Sequence, residues 1–184
     1  HFGSYAMVVE PVATTQRALV EREHTRSLIA YDPNIRLNVE PDIGRWRDTL
    51  QWMLPRTHLL KVSEEDLGLL YEGREPAELA RAWLDAGVAC VVVTHGAQGA
   101  SAWRTGEHRR VAPVAVTVLD TVGAGDTFQA ALLTGLAERD VWTRQALRDM
   151  ASAALQQVLE FASQAAAITC SRRGADMPRR SELM

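Results

Sequence analysis

The sequence predicts an α/β fold in which helices cover both faces of a mostly parallel sheet. Segments with helical spacing alternate with short apolar segments along most of the chain, as in folds that are built from strand–helix–strand units. Two apolar segments, HLLKV at 58–62 and VACVVVT at 88–94, are almost continuously hydrophobic, which is typical of strands buried on both faces. Together these features indicate three layers, with the sheet in the middle.

In the first half of the chain, each predicted strand follows a segment with helical spacing. The helix–strand pairs are 17–27 with 28–32, 42–54 with 58–62, and 75–87 with 88–94. Pro55 ends the second helix and Gly87 closes the third, as these residue types commonly do. The segment SYAMVVE at 4–10 reads as a further buried strand that leads to the rim of a site.

The second half of the chain predicts a hairpin and then two helices. GASAWRT and HRRVAPV flank Gly106 and have the pattern of two antiparallel strands joined by a tight turn. Residues 125–138 and roughly 144–168 have helical spacing. No repeat or linker divides the chain, so we expect one domain over 1–184.

Composition limits the class of protein. Hydrophobic residues make up 47% of the 184 residues and charged residues 23%, as in ordinary globular proteins. A net charge of −3 argues against nucleic-acid binding, which favours clustered positive charge. No apolar run reaches membrane-spanning length, so we expect no membrane partner. The two cysteines have no metal-ligand or CxxC spacing, which favours a reduced, cytoplasmic location.

The stretch DTVGAGDTF at 120–128 places Gly123, Ala124 and Gly125 directly before a predicted helix. Small residues there leave the first backbone N–H groups of the helix bare, and these groups attract phosphate oxygens. Asp126 follows at the helix start, where it could accept a proton from a hydroxyl that attacks phosphorus. The alternative is that the glycines only form a tight turn and Asp126 only caps the helix, and both interpretations stay open.

A second glycine-bearing turn follows the clearest strand. VVVTHGAQG at 91–99 places Thr94, Gly96 and Gly99 at the carboxyl end of that strand. Ligands of open α/β sheets bind beyond the carboxyl ends of strands, so this turn and the stretch at 120–128 suit one nucleotide that spans both. The alternative is that the two glycines only form the turn into the hairpin.

Three motifs in this order resemble those of the PfkB (ribokinase-like) carbohydrate kinases: VVVTHGAQG, DTVGAGDTF and AAAITCSRRGA at 165–175. DPNIR (32–36), KVSEEDL (61–67) and the ITCSRRGADMP ending resemble the fructokinase branch in particular. The resemblance implies a three-layer α/β/α ribokinase-like domain and covers only the later portion of the family's chain. Because the chain also begins with HFGS rather than methionine, we expect the N-terminal portion and the lid to be missing.

The resemblance implies roles for the residues of the glycine-rich stretch. Asp126 would be the catalytic base that takes the proton of the sugar hydroxyl. The backbone of Gly123, Ala124 and Gly125 would form the anion hole for the transferred phosphoryl group. This family's reaction would therefore need ATP as the phosphoryl donor and a sugar as the acceptor.

The resemblance also implies where the nucleotide and the cations would bind. Thr94, Gly96 and Gly99 would line the nucleotide site, with Ser163 near the adenine. Several relatives bind a monovalent cation such as K⁺, and the matching positions are Asp120, Val122 and Gly174, the last two through their carbonyl groups.

Two pairs of residues at other strand ends complete the predicted site. In many relatives an Asn-x-x-Glu pair organises magnesium and phosphate, whereas this chain has Ser63 and Asp66 at that spacing. With this departure, Mg²⁺ would arrive with ATP and keep several waters. Asn34 and Arg36 follow another strand end and could contact the sugar or a phosphate. A turn asparagine and a solvated arginine are the alternative.

These features predict transfer of the γ-phosphoryl group of ATP to a hydroxyl of a sugar, with fructose as the acceptor. One alternative is another acceptor of the same family: ribose, 2-keto-3-deoxygluconate or a nucleoside. The other is a nucleotide-binding module without catalysis. The resemblance also allows a homodimer.

Overall fold

The computed structural model describes residues 1–183, and its centre is a six-stranded sheet whose strands lie in sequence order. The strands are β1 (Phe2–Gly3), β2 (Ala30–Asp32), β3 (Leu59–Ser63), β4 (Cys90–Thr94), β5 (Ala100–Arg104) and β6 (Glu107–Val111). Strands β1 to β4 pair in parallel, whereas β5 is antiparallel to both β4 and β6. The prediction of a mostly parallel sheet that ends in a hairpin is confirmed.

Helices connect and cover these strands. The α-helices of the described chain are α1 (Val12–Glu23), α2 (Ile43–Met53), α3 (Glu64–Leu70), α4 (Pro76–Asp85), α5 (Ala124–Ala137), α6 (Arg144–Asp149) and α7 (Ser152–Cys170). The predicted helices over 42–54, 75–87 and 125–138 agree with α2, α4 and α5 to within two residues. In the residues that the structure describes, no helix is both long and apolar enough to cross a bilayer.

Two hydrophobic cores lie on opposite faces of the sheet. One core joins the sheet to α1–α4, and Leu60 and Val62 of β3 belong to it. The other joins the sheet to α5–α7, and Leu59 belongs to it because successive side chains of a strand point to opposite faces. The predicted three-layer α/β/α architecture is thus confirmed.

The prediction of a strand over SYAMVVE is wrong. Ser4–Met7 form a short 3₁₀ turn, which follows the two-residue strand β1. The carbonyl of Tyr5 accepts hydrogen bonds from both Val8 and Val9, so these N–H groups are not available to a sheet. Met7 and Val8 are nevertheless buried in the core, and this burial explains why the segment is apolar.

The prediction of a single helix over 144–168 is also wrong, because the helix is interrupted between α6 and α7. The cause is Arg104 of β5, whose buried guanidinium donates hydrogen bonds to the carbonyls of Leu147 and Met150. These bonds hold the end of α6 open, and Met150 takes an extended ψ of 130°. The break therefore depends on a partner more than forty positions away.

Two further helix boundaries differ from the predictions. α1 begins at Val12, earlier than the predicted start at 17, and ends at Glu23, before the predicted end at 27. α3 was not predicted at all, since seven residues carry too little periodicity. Its start is fixed locally, because the Ser63 hydroxyl accepts a hydrogen bond from the N–H of Asp66.

Candidate active site

The carboxyl ends of the parallel strands and the start of α5 form one end of the molecule. Ser63 and Thr94 pair as the last residues of β3 and β4, and Asp32 ends β2. Side chains at alternate positions of a strand point to the same face of the sheet. The face that carries Leu59 and Val92, which belong to the core under α5–α7, therefore also carries Asp32, Lys61, Ser63 and Thr94. Polar groups from three strands thus reach the same face, beneath α5.

Gly123 begins α5 in a conformation that requires glycine. Its φ of 79° and ψ of −3° lie in the left-handed region. A Cβ at this position would also lie 2.6 Å from the Cβ of Ala175. The glycine therefore lets the loop before α5 pack against the segment that follows α7.

The first turn of α5 has two unused backbone donors. The N–H of Ala124 donates to the Thr121 carbonyl, and that of Thr127 donates to the Gly123 carbonyl. No acceptor within the described residues contacts the N–H groups of Gly125 and Asp126. α2, α3 and α6 are each capped by a polar side chain, whereas Gly123 has none to offer. The start of α5 is therefore open to an anion.

Asp126 lies beside these donors in the first turn of α5, and its side chain is exposed. It lines a cavity of about 260 Å³ together with Asp32, Asn34 and Gln16. The chain segment His1–Ser4 forms the rest of the wall. A residue that lines a cavity, Asp126, thus lies in the same helical turn as the two open N–H groups.

A buried ion pair supports this end of α5, and the sequence analysis missed it. The Lys61 ammonium donates a hydrogen bond of 2.8 Å to Asp32 Oδ2, and both side chains are about 5% exposed. Burial raises the pKa of Asp32, and the charge of Asp126 acts in the same direction, whereas Lys61 lowers it. The one available signal was a lysine inside the apolar strand HLLKV, in a position where an unpaired charge would be costly.

Lys61 also explains the second glycine of the motif. A Cβ at Gly125 would lie 3.3 Å from Lys61 Nζ, closer than most Cβ contacts in proteins. The ammonium therefore lies directly against the first turn of α5. Its positive charge adds to that of the two open N–H groups.

The turn after β4 contains the residues predicted for the nucleotide site. Thr94 is half-buried at the end of β4, and the N–H of His95 donates to the Gly99 carbonyl at 2.8 Å. Gly99 has a φ of 90°, and a Cβ there would lie 2.0 Å from the Val111 carbonyl oxygen. Gly96 has a φ of 54° and faces open space. Packing of the hairpin thus accounts for Gly99, while the side of Gly96 is free for a ligand.

Ser63 and Asp66 both make contacts within the protein. Ser63 caps α3, and Asp66 Oδ1 accepts a hydrogen bond of 3.1 Å from the N–H of Ile35. Burial raises the pKa of Asp66. The described residues contain no group of three or more His, Cys, Asp or Glu that could hold a metal ion. The pair therefore fixes the loop that follows β2.

That loop carries Asn34 and Arg36, and the two residues differ in their position relative to Asp126. Asn34 has a φ of 43°, its carbonyl accepts a hydrogen bond from the Ser4 hydroxyl, and it lines the cavity with Asp126. Arg36 is exposed, donates to the Ile35 carbonyl at 2.8 Å and does not line this cavity. Only Asn34 of this pair thus lies beside Asp126.

Asp120, Val122 and Gly174 are brought together by the loop before α5. Asp120 accepts hydrogen bonds from the N–H groups of Val122 at 3.0 Å and Gly174 at 2.9 Å. These two backbone donors lower the pKa of Asp120. The carboxylate therefore acts as a clamp between the two loops that meet beside the start of α5.

Ser163 lies apart from this cluster, in the middle of α7. Its side chain is buried and its Oγ has no hydrogen-bond partner in the part of the chain that the structure describes. It does not line the cavity that contains Asp126. The structure thus leaves a buried hydroxyl unpaired here without bringing it to the other site residues.

Comparison with known proteins gives a consistent family. Residues 8–181 match the family described as pfkB family carbohydrate kinase. The chain is 34% identical over 182 residues to a fructokinase of Rhizobium leguminosarum bv. trifolii, covering 99% of this chain and 54% of that protein. It is 30% identical to a fructokinase of Escherichia coli, covering 100% of this chain and 59% of that protein. The chain thus spans little more than half the length of these relatives.

Solved structures agree with this comparison. Fructokinase from Vibrio cholerae O395, with fructose, ADP and a calcium ion bound, has a TM-score of 0.84 at 26% identity, covering 100% of this chain and 58% of that one. An E. coli protein described as a putative ribokinase II, in complex with ATP and Mg²⁺, has a TM-score of 0.78 at 27% identity, covering 100% and 56%. With the family match over nearly the whole chain, the protein belongs to the pfkB family of carbohydrate kinases.

Proposed function

We propose that this chain carries the nucleotide-binding and catalytic portion of an ATP-dependent sugar kinase, with fructose as the acceptor. The observation that carries the proposal is the start of α5, where two open N–H groups lie in the same helical turn as Asp126, a residue that lines a cavity. An anion site beside a carboxylate is what phosphoryl transfer to a hydroxyl requires.

In this proposal the start of α5 holds the phosphoryl group that is transferred. The N–H groups of Gly125 and Asp126 would donate to its oxygens, and the Lys61 ammonium beneath them would stabilise the negative charge that develops. Because Lys61 is held by Asp32 in a buried site, its charge is already in place before the ligand binds. Little reorganisation is then needed during the reaction.

Asp126 would act as the base. As the acceptor oxygen forms its bond to phosphorus and the bond to the ADP oxygen breaks, the hydroxyl proton passes to the Asp126 carboxylate. The exposed position of Asp126 at the cavity wall, near Asn34, suits contact with an acceptor hydroxyl. Asn34 would then help to orient the sugar.

The residues present fit a nucleotide better than a metal bound by the protein alone. The open donors at the start of α5 suit phosphate oxygens, and Gly96 leaves space beside β4. Ser63 and Asp66 are engaged within the protein, so Mg²⁺ would bind mainly to the phosphates of ATP and neutralise their charge. For K⁺, the carbonyls of Val122 and Gly174 beside the Asp120 clamp are the proposed ligands.

The choice of fructose rests on the relatives. The two curated relatives described above are fructokinases, and the V. cholerae structure has fructose and ADP bound. We keep ribose, 2-keto-3-deoxygluconate and a nucleoside as alternative acceptors, because polar side chains of the cavity wall such as Gln16 and Asn34 could hydrogen-bond the hydroxyls of any of them.

The decisive experiment measures ADP release with ATP, Mg²⁺ and K⁺ in the presence of fructose, ribose, 2-keto-3-deoxygluconate or adenosine. We expect turnover with fructose, and we expect Asp126→Asn to abolish it while nucleotide affinity is largely kept. Asp85→Asn, at the exposed end of α4, makes the same chemical change outside the site and serves as the control.

Two results would contradict the proposal. A variant Asp126→Asn that keeps most of the wild-type kcat would remove Asp126 from the role of base. ATP binding without turnover on any acceptor would instead favour a nucleotide-binding module without catalysis.

Two properties of the whole protein complete the proposal. Cys90 and Cys170 are both free thiols, which suits a reducing compartment such as the cytoplasm. A homodimer stays a prediction of the family resemblance, and light scattering of the purified protein measures it directly.

A further inference from the structure

A second cavity lies at the opposite edge of the sheet. It has a volume of about 500 Å³ and is lined by three segments: 24–27 before β2, residues of 55–58 before β3, and 143–145 around the start of α6. The first two of these segments precede β2 and β3, whereas Asp32 and Ser63 end those strands. Since β3 has five residues, the two edges are roughly 15 Å apart.

The titratable side chains that line this cavity are all of basic residue types. They are His24, Arg26, His58 and Arg144. None of them forms an ion pair within the described part of the chain. At the end of α1, directly before His24, the carboxylates of Glu21 and Glu23 are already paired with Arg56 and Arg22. Arg26 and Arg144 therefore give the cavity positive charge without a counter-charge among the residues that the structure describes.

Burial and neighbouring charge both act on the pKa values of two of these groups. Burial lowers the pKa of His58 to about 4, and the charges of Arg144, His24 and Arg148 act in the same direction. Burial and the neighbouring Arg148 lower the pKa of Arg144. Both groups thus lie in surroundings that an anion would make more favourable.

His58 provides a buried donor that is fixed in direction. Its Nδ1 accepts a hydrogen bond of 2.8 Å from the N–H of Ile29, so the proton of the neutral ring is on Nε2. The residue is 4% exposed and lines the cavity, and no acceptor in the described residues contacts Nε2. Arg144 is held nearby by a hydrogen bond of 3.3 Å from its Nη2 to the Pro55 carbonyl.

We infer that this cavity binds a phosphate-bearing anion, with Arg144 and His58 as its principal donors. An arginine fork and an imidazole N–H suit the oxygens of a tetrahedral phosphate, and the hydroxyls of Ser27 and Thr143 lie on the same wall. The volume exceeds that of inorganic phosphate, so a phosphate monoester of the size of a sugar phosphate also fits. This site is separate from the start of α5 and does not depend on the kinase activity.

The test is a titration of the whole chain, followed by NMR at the backbone amide of Ile29, which bonds directly to His58. Inorganic phosphate and a hexose 6-phosphate are the two probes, at constant ionic strength. We expect saturable shifts with at least one probe, and roughly tenfold weaker binding in Arg144→Gln, which loses a charged donor. Tighter binding of the hexose phosphate would identify a monoester as the ligand, and equal or weaker binding would identify free phosphate.

The controls separate a bound anion from general charge effects. Arg81→Gln removes the same charge from the exposed face of α4, outside the cavity, and should bind like the wild type. His58→Asn keeps an acceptor for the Ile29 N–H and removes the Nε2 donor, so it should also weaken binding. No saturable shift with either probe, or equal affinities in Arg144→Gln and Arg81→Gln, would overturn the inference.

Discussion

Neighbours within the protein, and not a ligand alone, explain why glycine occupies positions 123 and 125. Gly123 makes room for Ala175, and Gly125 makes room for Lys61 Nζ. The GAGD stretch therefore joins three distant parts of the chain at one point: the end of β3, the start of α5 and the segment after α7. The first N–H groups of α5 stay open because Gly123 has no side chain to cap them.

We predict that the Lys61–Asp32 pair contributes to turnover and not only to folding. The double variant Asp32→Asn/Lys61→Met removes both buried charges together, so it avoids the roughly 3–5 kcal/mol cost of leaving one unpaired. We expect it to fold, but with kcat reduced by roughly tenfold or more, because the positive charge beneath the start of α5 is gone. Circular dichroism and the ADP-release assay measure these two properties.

The single variant Lys61→Met provides the comparison. It leaves Asp32 buried without a partner and should lose stability as well as activity. A double variant that is as active as the wild-type protein would show that the pair is purely structural.

Sequence motifs predicted part of this site and missed the rest for a physical reason. Asp126 and its glycines are contiguous, so a short pattern was enough to find them. The partners Asp32 and Lys61 are 29 residues apart and meet only when β2 and β3 align. Arg36 stays a prediction from its place after a strand end, since it is exposed and does not line the Asp126 cavity.

At the scale of elements, local periodicity predicted the helices and strands that depend on local contacts. α4 and the β5–β6 hairpin have strong patterns and clear turn residues, and they form where expected. The break between α6 and α7 was missed because Arg104, on another strand, causes it. Arg104 is in turn held by Glu107, whose carboxylate accepts hydrogen bonds from both Nε and Nη2 of Arg104.

Stability should depend on pH through Glu107. Burial alone would raise its pKa, but hydrogen bonds from Ser152, Arg109 and Arg104 outweigh this and lower the pKa to about 2. The unfolded state then binds more protons between the two pKa values, so stability rises with pH in that window. We expect Glu107→Gln to cost about 2 kcal/mol at pH 7, and clearly less at pH 3, in urea unfolding.

The matched control is Glu72→Gln, an exposed glutamate just after α3 with no ion pair in the described residues. Its effect on the free energy of unfolding should be small at both pH values. A Glu107→Gln cost that does not change between pH 7 and pH 3 would mean that the charge of Glu107 is not what stabilises the break.

The close packing of α5 on α7 gives a second prediction for elements. A Cβ at Gly135 would lie 3.1 Å and 3.2 Å from the two methyl groups of Val158. At Gly68, on α3, a Cβ would meet nothing within 4 Å. We expect Gly68→Ala to stabilise the protein by about 0.5–1 kcal/mol through helix propensity, and Gly135→Ala to show no such gain or a loss. Thermal unfolding compares the two, and equal gains would contradict the packing argument.

At the scale of the whole molecule, the two edges of the sheet have different charge. The carboxyl edge combines Asp32, Lys61 and Asp126, so two carboxylates and one ammonium meet there. The amino edge has only basic groups around its cavity. The three-layer fold was predictable from alternation and apolar strands, whereas the basic cavity was not, since its residues come from three separated segments without a shared motif.

Nucleotide binding at the carboxyl edge should stabilise the whole chain, since the proposed site would join α5, on one face of the sheet, to the ends of β3 and β4. A ligand that binds only the folded state at a hundred times its Kd adds about 2.7 kcal/mol. For a chain of 184 residues this corresponds to a rise in Tm of roughly 5–10 °C. The rise should be smaller in Asp32→Asn/Lys61→Met, which weakens phosphate binding, and unchanged in Arg144→Gln, which alters only the amino edge. Scanning calorimetry with and without ADP and Mg²⁺ measures all three proteins. An equal rise in the wild-type protein and the double variant would show that Lys61 does not act on the phosphates. A smaller rise in Arg144→Gln than in the wild-type protein would mean that the nucleotide binds at the amino edge instead of the carboxyl edge. No rise at all in a cooperatively unfolding wild-type protein would remove the nucleotide site itself.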